Sequence, residues 1–133
     1  MGLDNGIEIR RKENLPNCAL CFEEEWRNKY GYDLEVAYWR KCWNVRAIIF
    51  DVLDRGEDND SCIQITREEV IEIIKRLQRD LHYFDFLDDA WGGCIWEWNT
   101  FRRFQKRNIK NLKKLEDMMR RHPEMEVYFY DSY

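Results

Sequence analysis

At 133 residues the chain has the length of one domain, and 44% hydrophobic residues with 15% aromatics supply the surface for a core that disordered chains lack. Acidic residues outnumber basic ones by 26 to 22, a formal net charge of −4, which on totals alone argues against a dedicated nucleic-acid binder. No apolar run approaches the roughly 20 residues that cross a bilayer.

The opening MGLDNGIEIRRKE has no basic-then-apolar signal pattern, and Gly6 stands where a myristoylation signal needs Ser or Thr. Five cysteines, an odd number, read as reduced and mostly buried thiols in a reducing compartment. A soluble, cytoplasmic protein with no membrane association is expected.

Along the chain, Ile7 and Ile9 alternate with Glu8 and Arg10, the pattern of a half-buried strand over 6–10. Residues 11–34 carry Pro16, Gly31 and the triplet Glu23, Glu24, Glu25 and read as irregular. From 35 to about 53 the spacing predicts a helix with Val36, Trp39, Cys42, Trp43, Ile49, Phe50 and Leu53 on one face. DRGEDND at 54–60 is a polar loop.

CIQIT at 62–66 is a short strand, and Thr66 with Glu69 matches the capping box that opens a helix. Its inner face is Val70, Ile73, Ile74, Leu77 and Leu81, with Glu72 and Arg76 spaced as an outer ion pair. HYFDFLDDAWGG reads as a loop and CIWEW (94–98) as a strand. Asn99 or Thr100 then caps a long helix running to about 121, with Phe101, Phe104, Leu112, Leu115 and Met119 as its apolar stripe. Past Pro123, EVYFYDSY (126–133) is a closing strand, apolar on both faces and so expected in the middle of a sheet.

Alternating strands and helices suggest a parallel sheet, yet three strands have a polar face, which favours a sheet covered on one side. The expected fold is a single two-layer α+β domain over 1–133, with a small mixed sheet of about four strands against about three helices.

YWRKCWNVRAIIF at 38–50 raises the first functional question. As a helix it places Trp39 and Trp43 one turn apart on the face that packs the core. Arg46 falls within the same apolar arc, where a guanidinium needs a carboxylate, a carbonyl or an aromatic face. Asp85, Asp88 and Asp89 are the candidate partners; the functional alternative is a cleft for an anionic ligand. Tyr38, Trp39, Arg40, Lys41, Trp43 and Arg46 form the candidate ligand or partner surface.

MGLDNGI at the start, YWRK at 38–41 and EVYFYDSY at the close resemble a family of small uncharacterised proteins from phages, prophages and bacterial genomes. The resemblance implies a mobile-element context without an activity, and it directs attention to the YWRK residues.

The last helix holds nine basic residues against Glu116 and Asp117, so it carries +7 of a chain totalling −4, leaving −11 for the rest. Arg102, Arg103, Lys106, Arg107, Lys110, Lys113 and Lys114 form a candidate phosphate-binding face opposite the apolar stripe. The bland alternative is a solvated face, or one meeting acidic segments such as 23–25 and 85–89 in the same or a second copy. No helix-turn-helix, zinc-finger or RNA-recognition signature accompanies it.

Cys18 and Cys21 have CxxC spacing without a second pair, so neither a metal site nor a redox centre is expected. A calcium loop starting at Asp58 fails at Cys62 and Ile63, and the cap already accounts for Glu69. There is no P-loop, GxGxxG, GxSxG or HExxH, and two serines with two histidines give a catalytic triad no support. No cofactor, metal or catalytic residue is expected.

The leading expectation is a non-catalytic interaction or accessory protein of phage type, acting through self-association, for example as a homodimer, or through a protein partner. Six tryptophans and seven tyrosines motivate it, since exposed aromatics favour interfaces. The alternatives are a nucleic-acid-associated protein using the basic helix, and an anion-binding or enzymatic pocket around Arg46.

Overall fold

The computed structural model describes residues 4–9, 34–54, 61–86 and 98–132. They form β1 (Asp4–Ile9), β2 (Leu34–Arg40), α1 (Trp43–Leu53), β3 (Ser61–Gln64), α2 (Arg67–Phe86), α3 (Trp98–Arg121) and β4 (Val127–Ser132). The strands make one sheet in the order β2-β1-β4-β3, the α+β arrangement the sequence leads one to expect. All three pairings are antiparallel, so the sheet is not mixed. The first and last strands lie side by side at its centre, which makes the closing strand central as its two apolar faces suggest.

One face of the sheet is the core face. Asn5, Ile7 and Ile9 of β1 stand opposite Asp131, Phe129 and Val127 of β4, and these six side chains are all buried. Trp39 and Ala37 extend the layer onto β2. The helices close over it with Val45, Ile49, Ile73, Leu77, Phe101, Leu112 and Leu115, all fully buried. Each contributes on the order of 1–3 kcal/mol of apolar burial.

Residues 35–40 are strand where the spacing suggests helix. The register slips between Ile7 and Glu8, pairing Ile7 with Ala37 but Glu8 with Glu35, so Val36 is an extra residue. Val36 and Ala37 are therefore both buried, and with Trp39 they mimic a helical spacing. The chain turns at Lys41, whose φ of 55° is left-handed, and only then does α1 begin. Its last turn closes on Asp54, also left-handed, whose N–H donates to the Phe50 carbonyl at 2.9 Å.

α2 begins as expected: the Thr66 N–H donates to Glu69 Oε1 at 2.9 Å, and the Glu69 N–H donates to Thr66 Oγ1 at 3.2 Å. It then runs through Phe86, beyond the loop expected from His82 onward, because no Gly or Pro interrupts 67–86. Arg76 pairs with Asp51 of α1 at 2.5 Å rather than with Glu72, so it ties two helices together. α3 opens at Trp98, which places that residue in a helix and not in a strand. The rest of CIWEW, the CxxC pair, Asp58, Asp60, Asp88, Asp89 and segment 23–25 lie outside the described residues. Of the two cysteines among the described residues, Cys42 is buried and Cys62 is exposed.

Candidate functional site

The tripeptide Asp4-Asn5-Gly6 of β1 organises one end of the sheet, each residue in a different way. Asn5 lies on the core face, in register with Trp39 on one side and Asp131 on the other. Its Nδ2 donates to Asp131 Oδ1, and Arg46 from α1 meets the same carboxylate with Nε–Oδ1 at 3.0 Å and Nη2–Oδ2 at 3.1 Å. On the far side Trp39 Nε1 donates to Gln105 Oε1 of α3 at 2.6 Å. Gln105, Trp39, Asn5, Asp131 and Arg46 thus form one polar rung across five elements of the core.

Asp131 is therefore a carboxylate that meets Arg46; of the partners expected from the sequence, Asp88, Asp89 and the side chain of Asp85 lie outside the described residues. The guanidinium also lies 4.7 Å from the Phe50 ring centroid and 5.7 Å from that of Trp43. An anionic ligand at Arg46 would have to displace a bidentate carboxylate held by a buried asparagine. Asn5, Gln105 and Asp131 escaped notice in the sequence although a signal was present. Each is a polar residue on the buried parity of an otherwise apolar pattern: Asn5 with Ile7 and Ile9, Asp131 with Phe129 and Val127, Gln105 between Phe101 and Leu112.

Asp4 and Gly6 face the other side of the sheet. Tyr38 donates its hydroxyl to Asp4 Oδ1, and Tyr130 donates to Glu35 Oε2 at 3.1 Å. To reach β2 from β4, the Tyr130 ring must pass over β1, and Gly6 is the residue it crosses. A Cβ there would sit 2.6 Å from Tyr130 Cζ, so only glycine fits under the ring. Burial first, and then the Asp4 hydrogen bond, push the Tyr38 phenol above its ordinary pKa. Burial and the charge of Glu35 do the same to Tyr130.

The candidate surface of YWRK therefore divides. Trp39 is core, Tyr38 belongs to the second sheet face, Arg40 is exposed at the end of β2, and Lys41 is the turn. Trp43 is 45% exposed, the one exposed large hydrophobic residue among the described residues.

The basic helix α3 has a different character. Its buried side carries Asn108 and Asn111, whose Nδ2 atoms donate to the Tyr38 carbonyl at 3.0 Å and the Val36 carbonyl at 3.3 Å. These alternate carbonyls of β2 are thereby satisfied by a helix at the edge of the sheet. Both carboxylates near its C-terminal end are engaged: Glu116 by Arg67 of α2 at 2.7 Å, and Asp117 by Arg120 at 2.6 Å and Arg121 at 2.9 Å.

Arg103, Lys106, Arg107, Lys110, Lys113 and Lys114 are all exposed and have no ion pair among the described residues; Arg102 is partly buried. At 100° per residue the six span an arc of about 120°, and Arg103 to Lys114 covers about 16 Å along the axis. Beside them, α2 and α3 enclose a groove of about 370 Å³ lined by Gln78, Leu81, His82, Lys106, Ile109, Lys110 and Lys113. A larger groove of about 580 Å³ lies where β3 leads into α2, but its cations Arg67 and Arg120 are already in ion pairs. No group of three or more potential metal ligands occurs among the described residues, and no described helix is long and apolar enough to cross a membrane.

Comparison of the chain with protein-family models, with curated proteins and with solved structures returned no match.

Proposed function

We propose that this is a non-catalytic, nucleic-acid-associated protein whose working surface is the basic face of α3. One observation carries the reading: six exposed cationic side chains from Arg103 to Lys114 have no ion-pair partner among the described residues, in a chain whose net charge is −4. Like charges packed along one helix repel each other, so a row that pairs with no carboxylate among the described residues suits an external polyanion. A phosphate backbone offers regularly spaced negative charge to such a row, and release of its counterions drives the association. The likeness to small phage and prophage proteins fits an accessory role of this kind in the cytoplasm.

The test is binding of a labelled oligonucleotide by the wild type and by a Lys106→Glu, Lys110→Glu, Lys113→Glu variant. All three positions are exposed, so the variant keeps its circular-dichroism spectrum. Loss of binding supports the reading; binding equal to wild type removes it.

A second reading rests on Trp43. A tryptophan 45% exposed beside a cation suits the centre of a protein interface, with a second copy or another protein as partner. Sedimentation velocity of wild type against Trp43→Ala tests it: a dimer lost in the variant supports self-association, and a wild-type monomer at all concentrations excludes it.

A further inference from the structure

Resting on that reading of α3, we propose that the groove between α2 and α3 seats one nucleotide unit of a single strand and makes the protein prefer single-stranded over duplex nucleic acid. The groove has two chemistries in one place. Lys106, Lys110 and Lys113 stand along its α3 wall, at spacings of four and three residues that put them on one side of the helix. Gln78 and His82, one turn apart on α2, form the opposite wall with polar groups. Between them the floor is aliphatic: Leu81 and Ile109 are buried at 7% and 5% exposure.

A bare phosphate would use the lysines and leave the floor unused. A nucleotide uses both, its phosphate at the lysines and its base face on Leu81 and Ile109, with Gln78 and His82 placed to hydrogen-bond a base edge. A volume of about 370 Å³ is of the size that accepts a small ligand. A duplex cannot do this without unstacking, because its base faces are stacked and paired and only base edges, sugars and phosphates reach the surface. It would contact the outer cations Arg103, Arg107 and Lys114, which do not line the groove. Strand preference thus belongs to the groove and general affinity to the outer row.

The experiment is an ¹⁵N–¹H NMR titration of the full chain with a thymidine pentanucleotide and, separately, with a duplex of matched length, joined to anisotropy on two variants. The expected result is that the single strand shifts amides on both walls, at Gln78, Leu81, His82, Ile109 and Lys110, while the duplex shifts α3 alone. The exposed pair Gln78→Ala, His82→Ala should lose about fivefold in affinity for the single strand and nothing for the duplex. The trio Arg103→Ala, Arg107→Ala, Lys114→Ala should weaken both alike. Single-strand shifts confined to α3, or equal losses for both ligands in the Gln78, His82 pair, would overturn the groove assignment while leaving the basic face intact. No shift with either ligand overturns the basic-face reading as well.

Discussion

Arg46 of α1 and Asp131 of β4 share a two-point ion pair inside the fold, with the carboxylate fully buried and the guanidinium side chain 14% exposed. Asp131→Ala leaves Arg46 without its carboxylate and Asn5 Nδ2 without its acceptor. About 3–5 kcal/mol of stability should be lost, read by urea denaturation. Replacing both members, as Arg46→Met with Asp131→Leu, should recover a large share of that loss. A double variant no better than the single would mean that the hydrogen bonds of Asn5 matter more than the charges.

Gly6 is required by the ring that crosses it. Gly6→Ala should cost about 1–3 kcal/mol through displacement of the Tyr130 ring and loss of its bond to Glu35. In a Tyr130→Ala background the same substitution should cost far less. Comparing the two differences in one thermodynamic cycle isolates the clash.

The two tyrosines make stability fall at alkaline pH. Both phenols have folded-state pKa values raised above the ordinary 10, through burial and their carboxylate neighbours. The native state therefore keeps protons that the unfolded chain gives up. Their contribution is fully present below pH 10 and lost as pH rises from there toward the folded-state values. Tyrosinate absorbance should show these two phenols titrating with unfolding, and Tyr38→Phe with Tyr130→Phe should move the alkaline midpoint upward.

Asn108 and Asn111 guard the edge of the sheet. Changing either to Ala should cost about 1 kcal/mol, since a β2 carbonyl loses its donor. The double variant should also associate through the uncovered edge, visible as a concentration-dependent rise in light scattering.

Elements with a local signature were legible in the sequence: the Thr66 capping box, the apolar faces of α2 and α3, and the central closing strand. β2 was hidden because its bulge buries two successive residues and its exit turn uses Lys41 rather than Gly or Pro. The segment that looked most like a binding platform, 38–50, became a strand, a turn and a helix. Its arginine found a partner 85 positions away, beyond the reach of local spacing. The row of cations on α3 was legible from its residue types and spacing, although Arg102, counted in it, is partly buried. Packing was needed to show that Glu116 is engaged by Arg67 of α2, and Asp117 pairs with Arg120 and Arg121 along its own helix, leaving the cations from Arg103 to Lys114 outside any ion pair among the described residues.

The most direct test of the basic face is the salt dependence of single-stranded oligonucleotide binding, measured by fluorescence anisotropy from low to physiological salt. Six engaged cations predict a log–log slope of about −4, with each lysine removed flattening it by about 0.7. A flat slope, or no binding even at low salt, would contradict the account and show that the face meets no phosphate backbone.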